Sequence, residues 1–430
     1  YDFGTHPPTN RGGLPTMLVV RSPQNTHNPL PRNYTTGRRS ACGRKFTTIA
    51  QYGMFICLHF FSFAAALRPQ IPIAAFRTTA TMMSQTAPPS KKAKTALDEM
   101  DKKGAFIRTD AGFRDWVSDS SEKFKPEAGR YHLYISWACP WANRCAMVRK
   151  LKGLEDAIGL SVVHPTWQRT RPDDAADAHC GWAFAAPGDP PLAPLAPGGR
   201  PVPCEGCVPD AVNGAKFVRD LYEKANDSLG KYSVPILWDQ KEQTIVNNES
   251  SEIIRMLNSE FNAFAEQPVL DLYPPALRAA VDAVNAWVYP AVNNGVYRSG
   301  FAQTQEAYEE AVDELFAALD RMEALLATNR FLAGPAFTEA DVRAFQTLVR
   351  FDEVYVVYFK CDKKKISQYP NILNYCREIY QMPGVAETVH MDHIKNHYFT
   401  SHPKLNTYAV VPRGPNFLAE LEQPHNREQI

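Results

Sequence analysis

The spacing of hydrophobic and polar positions changes character once along the chain. Before residue 265, short apolar runs of strand type are separated by segments with a helical period. In chain order these are 131–136 (strand), 142–154 (helix), 160–164 (strand), 215–225 (helix), 234–239 and 243–246 (strands), and a helix from about residue 250. This order predicts an α/β unit with an antiparallel hairpin at its edge.

From residue 273 onward nearly all of the sequence has a helical period. The predicted helices there are 275–294, 303–328, 338–359, 370–380 and 383–397. The fold class predicted from the whole pattern is therefore α/β plus all-α, a small mixed domain followed by a helical one. We place the mixed domain at residues 96–265, the helical domain at 266–400 and a C-terminal tail at 401–430.

A proline- and glycine-rich stretch interrupts the first domain. Residues 186–209 hold eight prolines and four glycines in 24 positions. Both residue types break helices and strands, so we predict an irregular insertion in the α/β unit.

Charge separates the front of the chain from the rest. No Asp or Glu occurs from Phe3 to Leu97, a stretch that holds twelve of the 47 basic residues, and Asp2 is the single acid before it. The remainder, from Asp98 on, therefore carries 35 basic and 45 acidic residues. An acidic body argues against a general nucleic-acid-binding protein. The basic front, residues 1–95, is typical of a targeting leader or of a translation that begins upstream of the true start.

The predicted compartment depends on where translation begins. A start at Met83 predicts a cytoplasmic protein, whereas a cleaved leader predicts import into an organelle, a plastid or a mitochondrion. The apolar run 54–67 is short for a bilayer span and has the length of a signal-peptide core. We therefore expect no membrane partner.

Cys139 lies at the predicted turn between the first strand and its helix, followed by Pro140 and Trp141. Unpaired backbone N–H groups and the positive end of the helix dipole meet at such a turn. A thiol placed there is expected to have a lowered pKa and to be a nucleophilic thiolate at neutral pH. Pro140 at the first helical position costs no hydrogen bond and fixes the turn. The alternative is a buried structural cysteine.

Two further segments suit a peptide-like ligand with charged ends. Pro235 opens a predicted strand, and in a thioredoxin-like arrangement the preceding bond is cis and leaves the Val234 backbone free to pair with such a ligand. At the next helix start, Ser250 and free N–H groups suit a carboxylate, while Glu249 suits an ammonium group. A γ-glutamyl group carries both charges. The alternative for Ser250 or Ser251 is a plain helix cap.

The cysteine spacing favours a thiol supplied from solution over a redox pair or a metal site. Ala142 stands three residues after Cys139, so an oxidised Cys139 needs an external thiol to reduce it, which points to glutathione. Cys204 and Cys207 have the spacing of zinc ligands but no second pair nearby, and we predict no metal. The nine cysteines, odd in number and irregularly spaced, are typical of reduced thiols.

Longer blocks of sequence carry a family resemblance. From about residue 106 to 424 the chain resembles the glutathionyl-hydroquinone reductases, also called xi-class glutathione transferases and similar to the omega class. The blocks are YHLYISWACPWANR, VPILWD, IVNNESSEIIRMLN, NNGVYRSGF, FTEADVRAFQTLVRFDEVYVVYFKCD, YPNILNY, IYQMPGVAETVHMDHIKNHYF and SHPKLN. The resemblance implies a thioredoxin-like N-terminal domain, a helical glutathione-transferase C-terminal domain and a homodimer.

The resemblance also implies an activity and the residues that carry it. The reaction is reduction of glutathione conjugates of hydroquinones by glutathione, through a cysteine–glutathione mixed disulfide. Cys139 matches the catalytic nucleophile, and Tyr297 and Tyr398 match tyrosines of the hydroquinone pocket. The residues that match the glutathione site are Trp182, Val234, Glu249 and Ser250. Thr338 with Asp341 matches the capping box of the core helix, which the S/T-x-x-D pattern also predicts unaided.

The chain departs from the family pattern in three places. Asn143 stands where His is common, and Lys231 stands where Arg is usual, which removes a planar bidentate donor. The insertion 186–209 is longer than the family pattern and follows Trp182 closely. Two alternative functions stay open, a general glutathione-dependent thiol transferase or dehydroascorbate reductase of omega type, and a non-catalytic binding protein with the transferase fold.

Overall fold

The computed structural model describes residues 93–430. Nearly all of the predicted leader, residues 1–95, lies outside the described residues, including the apolar run 54–67. The strands of the described part are β1 (Tyr131–Ile135), β2 (Ile158–Val162), β3 (Gln168–Arg169), β4 (Cys180–Gly181), β5 (Ile236–Asp239) and β6 (Thr244–Asn247).

A four-stranded mixed sheet forms the centre of the first domain. Its strand order is β2-β1-β5-β6, with β1 parallel to β2 and antiparallel to β5, and β5 antiparallel to β6. All five side chains of β1 are buried, as expected for a central strand covered on both faces. The predicted α/β unit with an edge hairpin is therefore confirmed.

Helices cover this sheet and build the second domain. In the first domain they are α1 (Pro140–Leu151), α2 (Val218–Lys224) and α3 (Ser250–Ser259). In the second they are α4 (Arg278–Trp287), α5 (Gly295–Phe301), α6 (Gln305–Leu326), α7 (Glu339–Arg350), α8 (Val356–Tyr358), α9 (Pro370–Gln381), α10 (Met391–Thr400) and α11 (Phe417–Leu421). Helix α1 packs against α3 of its own domain and against α7 of the second, so the strand-to-helix turn before α1 lies at the domain interface.

Three predicted helices are wrong in their extent. The predicted helix 275–294 ends as an α-helix at Trp287 and continues as a π-helical segment, Val288–Asn293. The predicted helix 338–359 is likewise interrupted by a π-helical segment, Phe351–Tyr355. The predicted helix 383–397 starts later, at Met391, because Pro383 and the left-handed Gly384, with φ of 84°, break the chain first.

The capping box at the start of α7 is present as predicted. The Thr338 N–H and hydroxyl donate to Asp341 Oδ2 at 2.8 and 2.9 Å. The other carboxylate oxygen of Asp341 accepts from the Leu332 N–H and the Tyr375 hydroxyl, both at 2.9 Å. Asp341 is fully buried, so this carboxylate joins a loop and α9 to the start of the core helix.

The C-terminal tail packs back onto the helical domain. Helix α11 lies against α9, and the buried guanidinium of Arg427 donates to the Leu326 carbonyl at the end of α6 at 2.7 Å. Of the helices in the described range, none has the length and apolar character that crossing a membrane requires.

Candidate active site

The thiol of Cys139 lies at the N-terminus of α1, half-buried. Cys139 is the N-cap residue, and Pro140 is the first residue of the helix and buried. The thiol donates to the Val234 carbonyl at 3.5 Å, and the bond between Val234 and Pro235 is cis. The structure therefore brings together the turn after β1, which carries Cys139, and the segment before β5, which carries Val234 and Pro235. Both segments were singled out from the sequence.

The electrostatics of the thiol differ from the sequence expectation. Burial is the dominant effect and raises the pKa of Cys139 above its ordinary value, although a lowered pKa was expected from the helix position alone. Four groups act in the opposite direction and lower it: the backbone N–H groups of Ala142 and Trp141, and the guanidinium groups of Arg350 and Arg108. The helix N-terminus thus offsets only part of the cost of charging a buried sulfur.

We expect the reactivity of Cys139 in the free protein to rise throughout the neutral pH range. With a raised pKa, the thiolate is a minor species at pH 7 and its fraction increases with pH up to and beyond the ordinary thiol value. The rate of alkylation by iodoacetamide, followed by mass spectrometry of the Cys139 peptide, should therefore keep climbing above neutrality. A plateau reached below pH 7 would contradict this prediction.

The start of α3 closes one side of the thiol site. Glu249 is the N-cap residue, and its carboxylate accepts from the Ser251 N–H at 3.0 Å and hydroxyl at 2.8 Å. Ser250 is buried and its hydroxyl accepts from Arg144 at 3.3 Å. The N-cap of α3 is therefore Glu249, and not Ser250 or Ser251 as the sequence alternative had it. The Glu249 carboxylate places a negative charge at the cavity.

An aromatic wall stands opposite α3. The ring of Trp182 is stacked on His397, with centroids 4.4 Å apart, and meets Trp167 edge-on at 5.6 Å. The Pro165 carbonyl lies 2.9 Å from Nδ1 of His397. Burial lowers the pKa of His397 well below its ordinary value, so this imidazole is neutral at pH 7. The stacked rings of Trp182 and His397 therefore form an uncharged aromatic surface.

Two tyrosines from the helical domain, Tyr297 and Tyr398, line another side, and a third, Tyr355, contacts them. The hydroxyl groups of Tyr297 and Tyr398 are hydrogen-bonded to each other, and the Tyr355 hydroxyl lies 3.1 Å from that of Tyr398. Burial raises the pKa of each of these phenols, which are therefore protonated at neutral pH. The sequence identified Tyr297 and Tyr398 but missed Tyr355, which enters the cluster because it ends the π-helical segment after α7.

A guanidinium group lies over the aromatic side chains beside the thiol. The Arg108 guanidinium is 3.9 Å from the centre of the Trp141 ring and 5.3 Å from that of Tyr297. Its Nε donates to the side chain of Asn294 at 3.0 Å, which fixes it across the domain interface. Sequence reasoning missed Arg108, since a single arginine in an irregular segment gives no signal.

The two residues that depart from the family pattern are both engaged. The Asn143 amide donates to the Thr388 carbonyl at 2.9 Å and to the Trp137 carbonyl at 3.3 Å, which ties α1 to the helical domain. Lys231 is ion-paired with the buried carboxylate of Glu99 at 2.6 Å. In this chain the two substitutions therefore serve packing between segments that border the site.

The insertion 186–209 contacts the active-site turn through its last residues. The Trp137 indole N–H donates to the Gly206 carbonyl at 3.2 Å, and the neighbouring Glu205 carbonyl lies 2.6 Å from Nε2 of His393. Trp137 also stacks on His390 at 4.2 Å. The insertion thus supports the tryptophan two residues before Cys139.

The thiol, the start of α3, the aromatic wall and two of the three tyrosines border one open cavity of about 160 Å³, which Tyr355 does not line. Of the residues predicted for the site, it is lined by Cys139, Trp141, Trp182, Val234, Glu249, Ser250, Tyr297 and Tyr398, whereas Pro140 does not line it. Lys231, Arg108, His397 and His402 also line it. Within residues 93–430 no group of three or more His, Cys, Asp or Glu side chains is arranged to hold a metal ion.

Two family models match the chain over both domains. The model of the glutathione S-transferase N-terminal domain matches residues 138–260, and that of the glutathione S-transferase C-terminal domain matches residues 305–378. The first range begins one residue before Cys139, and the second contains α7.

Individual relatives match over most of their length. The glutathionyl-hydroquinone reductase YqjG of Escherichia coli is 44% identical over 333 residues, which are 76% of this chain and 93% of that protein. The glutathione-bound structure of YqjG matches with a TM-score of 0.65 at 44% identity, over 74% of this chain and 96% of that one. The xi glutathione transferase of Phanerochaete chrysosporium has a TM-score of 0.65 at 47% identity, over 72% of this chain and 98% of that one.

Proposed function

The chain belongs to the glutathione S-transferases, in the group of the glutathionyl-hydroquinone reductases, and on that premise we propose that it uses glutathione to reduce S-glutathionyl-hydroquinones to hydroquinones. The observation that carries the proposal is a cavity in which a thiol at a helix N-terminus faces a cluster of protonated tyrosines. Cys139 supplies the sulfur chemistry, and Tyr297 and Tyr398 supply the contacts and protons for an aromatic ring.

Glutathione is placed with its ends on the polar side of this cavity. Trp182, the Val234 backbone, Glu249 and Ser250 all line it. Within residues 93–430 no acceptor takes the Val234 N–H, which leaves it for the peptide backbone of the ligand. Glu249 carries a negative charge toward the ammonium group, and the first N–H groups of α3 favour the adjacent carboxylate.

The first half-reaction breaks the bond between the glutathionyl sulfur and the ring. The Cys139 thiolate attacks that sulfur, the electron pair of the sulfur–carbon bond passes to the ring carbon, and this carbon takes up a proton. The products are the hydroquinone and a disulfide between Cys139 and glutathione. An aryl anion is an unfavourable leaving group, so the ring first passes to its ketone tautomer, in which this carbon takes up its proton and the phenol oxygen loses one. The cleaved ring then leaves as an enolate, and its oxygen takes up a proton to give the hydroquinone.

The tyrosine cluster suits the protons that this step requires. Tyr297 and Tyr398 share a hydrogen bond, so one hydroxyl donates into the cavity while the other holds it in place. Their raised pKa keeps both protonated at neutral pH. Tyr355 extends the network by one more hydroxyl and keeps the donor oriented.

The second half-reaction restores the enzyme. The thiolate of a second glutathione attacks the glutathionyl sulfur of the mixed disulfide and releases glutathione disulfide and the Cys139 thiolate. Over both steps the ring carbon gains two electrons, and the two glutathione sulfurs lose them. No thiol of the protein other than Cys139 takes part in this balance.

The tyrosine cluster favours the proposal over its alternatives. A general thiol transferase or dehydroascorbate reductase of omega type needs the thiol but no proton donor for a ring carbon, and a binding protein needs neither. The homodimer and the domain limits 96–265, 266–400 and 401–430 stay predictions.

We expect Tyr398→Phe to lower kcat for an S-glutathionyl-hydroquinone by about 10- to 100-fold, because the ring loses its oriented proton donor. Reduction of a small mixed disulfide by glutathione requires no proton on carbon and should change by less than about twofold. Both activities are measured in steady state on the same preparation, with Tyr297→Phe as the partner variant.

Tyr369→Phe is the matched control, since the Tyr369 hydroxyl donates to Asp320 at 3.0 Å and lies outside the cavity. It should leave both activities unchanged. If the wild-type protein reduces mixed disulfides but no glutathionyl-hydroquinone, the thiol-transferase alternative holds. Equal losses in both assays for Tyr398→Phe would contradict the role given to the tyrosines.

A further inference from the structure

Arg350 reaches from the helical domain to the turn that carries the thiol. It is the last residue of α7 and is fully buried. Its guanidinium donates to the Trp137 carbonyl at 2.8 Å and to the Ala138 carbonyl at 3.3 Å, the two peptide groups that precede Cys139. Among the described residues, no group of the first domain is seen to donate a second hydrogen bond to the Ala138 carbonyl.

The charge of Arg350 has no carboxylate partner in the described residues 93–430. Its remaining hydrogen bonds go to the Gln346 carbonyl at 2.8 Å and the Gln346 side-chain oxygen at 2.9 Å. The acids that follow it in the chain are used elsewhere. Asp352 accepts from the Ile366 N–H at 2.6 Å, and Glu353 pairs with Lys395 at 2.9 Å.

A fully buried and unpaired guanidinium is costly, and buried charges in proteins are usually paired. Arg350 avoids part of this cost by donating to four neutral oxygens, but its positive charge is not cancelled. The guanidinium groups of Arg350 and Arg108 are charged groups that lower the pKa of the Cys139 thiol. The carboxylates of Asp110, Asp227 and Glu249 line the same cavity and oppose this effect.

We propose that Arg350 is the positioning residue of Cys139, which clamps the two peptide groups before the thiol and supplies the counter-charge to the thiolate in each half-reaction. The inference rests on the proposed role of Cys139 as nucleophile. The guanidinium does not contact the reacting atoms in the structure; it acts through the turn and through its field. Because Arg350 comes from α7, this support of the thiol is present only while α7 is packed against α1.

Gln346→Glu tests the proposal with almost no change of shape. The new carboxylate would stand where the Gln346 oxygen accepts from Arg350 at 2.9 Å, and it would cancel the charge by pairing with it. We expect the midpoint of the pH profile of Cys139 alkylation to move up by about one unit. Gln346→Met, neutral and similar in length, should leave the midpoint where the wild-type protein has it.

Variants of the arginine itself separate charge from packing. Arg350→Gln should move the midpoint upward like Gln346→Glu, whereas Arg350→Lys keeps the charge and should bring it back near the wild-type value. An unchanged midpoint in Gln346→Glu, with near-UV circular dichroism like wild type, would overturn the proposal. An equal shift of the midpoint in Arg350→Lys and Arg350→Gln would also overturn the proposal, because a purely structural role of Arg350 predicts that result.

The alkylation measurements on these variants do not depend on the proposed substrate. Alkylation of Cys139 is read on the free protein, and glutathione binding is measured in parallel by calorimetry. If Arg350→Gln does not fold, Gln346→Glu and Arg350→Lys still decide the outcome. A protein inactive on hydroquinone conjugates but with the expected shifts keeps this inference and loses the proposed function.

Discussion

Replacement of Cys139 by serine is expected to reduce turnover of an S-glutathionyl-hydroquinone by about 10⁴-fold or more. A serine hydroxyl does not ionise at neutral pH, and it cannot form the mixed disulfide on which both half-reactions depend. The exchange changes packing little, since serine has nearly the same shape and the thiol donates one weak hydrogen bond among the described residues, to the Val234 carbonyl at 3.5 Å. Steady-state assay beside calorimetry of glutathione binding separates chemistry from binding.

Cys145→Ser is the control on the same helix. Its sulfur lies 3.8 Å from the Trp141 carbonyl and 3.9 Å from the Ser250 carbonyl, so a hydroxyl there finds acceptors. Cys145 does not line the cavity, and its serine variant should keep glutathione binding and turnover. Retained turnover in Cys139→Ser, or loss of glutathione binding along with it, would contradict the assignment of Cys139 as the nucleophile.

Replacement of Asp341 by alanine is expected to lower the free energy of unfolding by about 3–5 kcal/mol. The carboxylate is fully buried and accepts four hydrogen bonds, from two groups of Thr338, the Leu332 N–H and the Tyr375 hydroxyl. Alanine leaves these donors buried without an acceptor, and each lost partner costs desolvation free energy. Urea denaturation followed by circular dichroism measures the change.

Thr304→Ala provides the comparison at an ordinary cap. Thr304 caps α6 at the surface, where its hydroxyl accepts from the Ala307 N–H at 3.2 Å. The free energy of unfolding should fall by about 1 kcal/mol in Thr304→Ala, as for other exposed N-caps. Equal losses of unfolding free energy in Asp341→Ala and Thr304→Ala would mean that Asp341 acts only as a local cap. Its links from α7 to the loop at Leu332 and to helix α9 would then contribute nothing.

The positions of most strands and helices follow from hydrophobic periodicity, and so does the place of Cys139. A strand with five buried residues, a helix opened by proline and a thiol between them are local patterns that need no knowledge of distant contacts. The capping box of α7 is equally local. The loop 186–209 is predicted from its composition, but its contact with Trp137 is not, because nothing in the sequence relates the two.

The π-helical segments explain the larger failures. A π turn adds one residue to a turn. No proline or glycine marks it in Phe351–Tyr355, so the helical period there is disturbed too briefly to be detected, whereas Pro290 lies inside the other segment, Val288–Asn293. Yet that added residue rotates the following side chains and brings Tyr355 to the hydroxyl of Tyr398. The missed tyrosine is therefore a direct result of the missed helix irregularity.

The charge of Arg350 and the pKa of Cys139 escaped prediction for a different reason. Both depend on how completely the second domain covers the active-site turn, and that is a property of the packed domains. A weak signal was present, since Gln346 and Arg350 are polar residues four positions apart on the predicted core helix. Such a pair inside a core helix is worth inspection in other sequences.

The division of the cavity between two domains has a consequence for redesign and for divergence. In the proposed mechanism the sulfur chemistry belongs to the starts of α1 and α3, and the surface that contacts the acceptor belongs to α5 and α10. A new acceptor can thus be acquired by substitutions in the helical half alone, with the thiol left untouched. A graft of that whole half is different, because a central helix that does not end in an arginine would lack the contacts of Arg350 with the turn before Cys139. We expect the thiol of such a chimera to ionise only at higher pH.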